Sequence, residues 1–256
     1  MPSMFTVRDP VVHRALRRPV AQKFSMSSIK SLEPFADECT KIFVDAMKDL
    51  EGQQIDLGAW LQWYAFDVIG AITFQRRFGF MEKREDVQDM IGGLESGLQY
   101  AGIVSQVPSL HGWLMGNFWV SKFLAAQPFF KVADPLRTMV QITQECIDDY
   151  DRQPQKLGVR PDFLAWLRSK ETKGKPMSNR DMMNHLSNNL LAGSDTTAIS
   201  LRAIIYYLVP NRSVYKKLQK EVEDADKNGK LSPYITYAEC LELPYLQVAL
   251  LMKVRT

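Results

Sequence analysis

A glycine, a carboxylate and two hydroxyls interrupt an otherwise apolar stretch at Gly193, Asp195, Thr196 and Thr197. Met183, Leu186, Leu190 and Gly193 recur at helical spacing, with Thr196 and Thr197 on nearly the same face, so the interruption falls inside a helix. In a helix interior glycine costs about 0.8–1.0 kcal/mol relative to alanine, which implies that something approaches the backbone closely at Gly193. Asp195 needs a partner or water if it is buried. Thr196 can return its hydroxyl to the carbonyl four residues back, loosening the helix and opening a small polar pocket beside it. Such a pocket suits a diatomic ligand and water. On spacing alone, a kinked core helix with a satisfied threonine and a solvent-facing aspartate is the better account of these residues.

A second candidate lies near the start, where His13 and Arg17 stand four apart in the run His13 to Val20, after Arg8-Asp9-Pro10. A guanidinium there offers a planar, permanently charged partner to a carboxylate. A solvated basic face is the alternative. No metal-ligand cluster is legible: Cys39, Cys146 and Cys240 lie far apart, each beside acidic residues that disfavour a thiolate, and read as free thiols of a reducing compartment. His185 stands eight residues before Gly193, roughly 12 Å along a helix axis by the standard rise.

The elements that carry these residues are helices. The patterning predicts helices over Pro10 to Ala21 and Leu32 to Leu50, the latter with Phe35, Cys39, Ile42, Phe43, Ala46 and Leu50 on one stripe. Asp56 caps a long apolar helix with Trp60, Tyr64, Val68 and Ile72 on one line, expected to cross the core. A further helix runs from Asp86 to Tyr100, and short helices or a mobile lid occupy Val107 to Pro128. Helices over Pro135 to Tyr150 and Pro161 to Lys170 flank a polar linker at 153–160. Ser178 caps a helix of roughly thirty residues ending near Pro210, followed by helices over Ser213 to Lys227 and from Pro244 onward.

Of the 256 residues, 46% are hydrophobic, enough to bury a sizeable core, and the net charge of +3 is too balanced for a nucleic-acid binder. No membrane anchor or secretory signal is legible, so the chain as given is expected in the cytoplasm.

Ala192-Gly193-Ser194-Asp195-Thr196-Thr197 is similar to the central-helix signature of the cytochrome P-450 haem-thiolate monooxygenases of fungal type. The stretch around His13 and Arg17 resembles that family's haem-edge helix, with His13 in place of the usual tryptophan. Asn211 to Val222 and Leu243-Pro244-Tyr245-Leu246-Gln247 resemble the two helices that follow. The resemblance implies a mainly α, partial cytochrome P-450 fold: one incomplete helical domain over 1–256 that comprises the central helical half, without the N-terminal β-rich lobe or the C-terminal haem-cysteine region. Within it, 1–30 is the haem-edge region, 84–130 the lid and substrate region, 178–209 the central helix and 244–256 a truncated last helix.

Carried over by position, Asp195 and Thr196 relay protons toward dioxygen, Gly193 makes room for it, and Ala192, Arg17 and His13 contact the haem. Tyr100, Trp113, Phe118 and Phe123 meet the substrate. Intact relatives are expected to hydroxylate or demethylate small hydrophobic molecules of secondary metabolism, using haem and an NADPH-dependent reductase at the endoplasmic reticulum membrane. Two departures stand out. Met252 takes the place of the family's glutamate, leaving Arg255 without the partner whose loss in a buried pair costs about 3–5 kcal/mol. No cysteine has the family's ligand setting, so this chain is expected to bind no metal or haem and to be inactive alone. The competing expectation is a non-enzymatic helical module that binds a hydrophobic ligand or a protein partner.

Overall fold

Capping side chains mark where several of the helices begin in the computed structural model, which describes residues 3–114, 117–125, 135–152, 162–172 and 175–252. Asp9 caps α1 (Pro10–Arg17) by accepting from the Val11 amide at 2.7 Å. Ser25 caps a short α2 (Met26–Lys30), between the two helices expected over Pro10 to Ala21 and Leu32 to Leu50. Next come α3 (Glu33–Asp49) and α4 (Leu57–Phe74), the latter capped by Asp56. After α5 (Phe80–Lys83) the chain makes a 3-10 turn at Val87–Asp89, so α6 (Met90–Val104) starts and ends later than expected.

The stretch expected to form short helices or a lid holds α7 (Pro108–Leu114) and α8 (Phe118–Ala125), followed by α9 (Pro135–Arg152). Asp162 caps α10 (Phe163–Arg168). A two-residue antiparallel ladder, Glu171–Thr172 with Lys175–Pro176, leads to α11 (Asn179–Leu208), 30 residues capped by Ser178. The last helices are α12 (Arg212–Lys227), α13 (Tyr237–Leu241) and α14 (Pro244–Met252). The capping box between Thr236 and Glu239 starts α13, between the helices expected over Ser213 to Lys227 and from Pro244. The linker expected at 153–160 and Arg255 lie outside the described residues.

α4 is apolar on nearly every face, and it packs most extensively against α11 on one side and α3 on the other. Phe66, Leu186 and Leu190 are fully buried between them, each side chain worth about 1.5–3 kcal/mol of burial. The stripe expected on α3 packs around Cys39 against Trp60 and Met81. After α4 the chain doubles back, because the buried Asp67 carboxylate accepts the amides of Gly79, Phe80 and Met81. That return crosses Gly70, where a Cβ would lie 2.5 Å from the Arg76 carbonyl oxygen. Replacing Gly70 by alanine therefore destabilises the fold by about 1–3 kcal/mol in denaturant melts. Gly102 on α6 has open space instead, and alanine there stabilises by up to about 1 kcal/mol.

Lys23 and Asp162 are buried polar residues that face one another at the base of the core, Lys23 3% and Asp162 1% exposed. Burial pushes the Asp162 carboxyl up to about 6, against the pull of the Ala165 amide and the Lys23 ammonium. A raised carboxyl pKa means that the native state holds the proton longer than the unfolded chain. The contribution of Asp162 to stability is thus greatest below the ordinary carboxyl pKa and is lost as pH rises through about 6. Subtracting the melts of Asp162→Asn from those of the wild-type chain between pH 4 and pH 7 isolates this loss, expected on the order of 3 kcal/mol.

Candidate functional site

The face of α11 that carries the candidate motif borders an apolar groove of about 600 Å³. Its walls are Val68, Ile69 and Ile72 of α4, Asn188, Asn189, Ala192 and Gly193 of α11, and Phe24, Met26 and Ile29 from around α2. The Asn188 amide nitrogen is buried with no hydrogen-bond partner, an unsatisfied donor in an otherwise oily wall. Ile69 makes the close approach at Gly193: a Cβ there would lie 2.5 Å from Ile69 Cδ1.

The rest of the motif is not part of the groove lining. Ser194 is fully buried and donates its hydroxyl to the Leu190 carbonyl at 2.8 Å. Thr196, at the exposed side, donates to the Ala192 carbonyl at 2.5 Å, the return to the preceding turn expected of a mid-helix threonine. Asp195 is half-buried and accepts from the Gln62 side-chain amide of α4 at 3.5 Å. Ala192 and Gly193 therefore line the groove, while Asp195 and Thr196 stand beside it.

The remaining candidates lie apart. Arg17 and His13 line a separate, basic cleft of about 420 Å³ along α1, together with Arg14 and Arg18. No lining residue is common to the two cavities. In the lid region Tyr100 Oη and His111 Nδ1 lie 2.9 Å apart, tying α6 to α7. Trp113, Phe118 and Phe123 are 60%, 67% and 66% exposed, and none of these four aromatics lines the apolar groove. Gln62, Arg202, Ile69 and Asn188 were not singled out from the sequence. Gln62 left a signal, as a polar side chain within the apolar run Leu57–Phe74.

The family model described as cytochrome P-450 matches residues 3–250. The chain belongs to the cytochrome P-450 family. It is 35% identical over 97% of its length to the cytochrome P-450 monooxygenase gsfF of Penicillium aethiopicum, covering 50% of that relative. A cytochrome P-450 monooxygenase of Aspergillus terreus is 31% identical and 51% covered, and the pisatin demethylase of Fusarium vanettenii 29% identical and 47% covered. The crystal structure of a cytochrome P-450 matches with a TM-score of 0.75 at 19% identity, covering 99% of this chain and 52% of the other, which establishes the shared fold. This P-450 chain thus spans about half the length of the relatives it matches.

The family implies a haem. The groove is mostly apolar in its lining, as one face of such a group requires. Its lining includes no cysteine and no histidine, so it offers neither a thiolate nor an imidazole to iron. Burial also pushes the Cys39 thiol up to about 12 and the Cys146 thiol up to about 11, and raises that of Cys240, which keeps all three protonated. His185 is 5% exposed with an unpartnered Nδ1, and burial lowers its pKa, but it is not part of the wall. Among the described residues no group of three or more His, Cys, Asp or Glu could hold a metal ion, and no helix is long and apolar enough to cross a membrane. In this P-450 chain the Gly193→Ala substitution crowds Ile69 and destabilises by about 1 kcal/mol. Trimming Ile69 to valine in the same chain recovers most of that loss, so the two changes are non-additive when measured by a double-mutant cycle.

Proposed function

We propose that these residues form the oxygen-facing half of a fungal haem monooxygenase, with the groove beside Gly193 receiving one face of the haem. The observation that carries this reading is the apolar wall built by Ile69, Ile72, Ala192 and Gly193 directly before Asp195 and Thr196. When bound, haem supplies reductive activation of dioxygen and insertion of one oxygen atom into a C–H bond of a small hydrophobic molecule.

The chain's own residues exclude water, hold the group and handle protons. Ile69, Ile72 and Phe24 keep the wall dry. The Thr196 hydroxyl spends its proton on the Ala192 carbonyl, leaving its oxygen free to accept one from water, and the Asp195 carboxylate beside it can supply protons from solvent. Arg17, with His13 alongside, offers a charge partner for a haem propionate. Tyr100, Trp113, Phe118 and Phe123 give the substrate an aromatic surface. An NADPH-dependent reductase is the expected electron source, and a small hydrophobic molecule of secondary metabolism the expected substrate. Burial holds the thiols protonated and disfavours a thiolate bond to iron, so the chain as given is read as inactive alone.

Haem titration and reduction under carbon monoxide test this. The chain alone is expected to give no thiolate-type Soret band. A chimera in which residues 3–250 replace the matching half of the Penicillium aethiopicum relative is expected to give that band. In the chimera, Asp195→Asn should slow turnover by about a hundredfold. A band from the chain alone overturns the inactivity, and a chimera that folds but takes up no haem overturns the reading as a whole.

A further inference from the structure

Arg202 lies seven residues after Asp195, two turns along one face of α11, while Gly58 and Gln62 stand one turn apart on α4. The four residues meet across the helix pair. Arg202 Nε donates to the Gly58 carbonyl at 2.9 Å, and Arg202 Nη2 donates to Gln62 Oε1 at 2.6 Å. The bare backbone of Gly58 makes this possible, since a Cβ there would lie 3.3 Å from Arg202 Nε. A guanidinium has no acceptor, so the Gln62 oxygen must face Arg202 and its amide nitrogen must point the other way. That nitrogen donates to Asp195 Oδ1 at 3.5 Å. Gln62 is 3% exposed, so neither end of the amide has a water alternative close at hand.

We propose that Gln62 is a positioning residue for Asp195: oriented by Arg202, its amide tethers the carboxylate to α4 and sets the pose from which Asp195 exchanges protons. The tether is long compared with the usual 2.7–3.2 Å, so the carboxylate can leave it at small cost. The meaning of the pose rests on the proposed role of Asp195, whereas the tether itself does not.

Gln62→Glu separates positioning from scaffolding, because glutamate keeps an oxygen for Arg202 and replaces the donor to Asp195 with a like charge. In the full 256-residue chain labelled at aspartate carboxyl carbons, Gln62→Glu and Gln62→Leu should both shift the Asp195 resonance, with Asp67 unmoved as a control. From the other side, Asp195→Asn should speed hydrogen exchange at the Gln62 side-chain amide by roughly two- to tenfold, the value of one modest hydrogen bond. If Gln62→Glu leaves the Asp195 resonance in place, or Asp195→Asn leaves the amide exchange unchanged, the proposal is overturned. The Asp195→Asn arm still reads if the Gln62 variants do not fold. Neither readout needs haem, so its failure removes the tether and leaves the haem assignment standing, and a missing carbon monoxide spectrum does the reverse.

Discussion

The seating of Ile69 against the bare backbone of Gly193 sets how closely α4 and α11 pack, and both the core and the candidate site follow from that separation. Helix pairs approach to about 8–10 Å according to the side chains at the contact, and a glycine opposite a branched aliphatic residue favours the short end of that range. With the two helices close, Phe66, Leu186 and Leu190 exclude solvent completely. The same closeness brings Gln62 within reach of both Arg202 and Asp195, three side chains that a wider spacing would leave to water. One missing side chain thus serves packing and polar geometry together.

Buried polar groups then specify which of several helical packings is adopted. Asp67 gathers three amides and folds the chain back over Gly70, a geometry that an apolar residue could not dictate. Ser187 reaches the Thr143 hydroxyl at 3.2 Å and pins α9 to α11. Such bonds contribute little net stability each, but leaving one unmade inside the core costs about 1–3 kcal/mol, so misregistered packings are penalised.

Much of this was legible in the sequence because capping and periodicity are local. Asp56 and Ser178 start the helices they were expected to start, and the apolar run after Asp56 crosses the core. Where local signals ran short, the reading slipped. Ser25 caps a five-residue helix and Thr236 another, both too short to show a period. At the site, the motif told which residues interrupt α11 but not what they face. Gln62 and Asp195 are 133 positions apart, and no local pattern relates them. Nor could spacing reveal that Arg17 and His13 line a cleft of their own, since a solvated helix and a haem-edge helix have the same periodicity.

The bonds that hold the motif bear on how far its shape can be taken as a sign of haem chemistry. Ser194 and Thr196 bond back to carbonyls of their own helix, and Gly193 is closed by Ile69. Each interaction is satisfied within the chain, so the motif holds its geometry with or without a bound group. The groove is different. Its wall leaves apolar carbon and the Asn188 amide without partners, a state that favours being covered. The demand for a cover therefore comes from the wall rather than from the signature, and in a chain that spans about half the length of its relatives a further protein segment meets it as well as a ligand does.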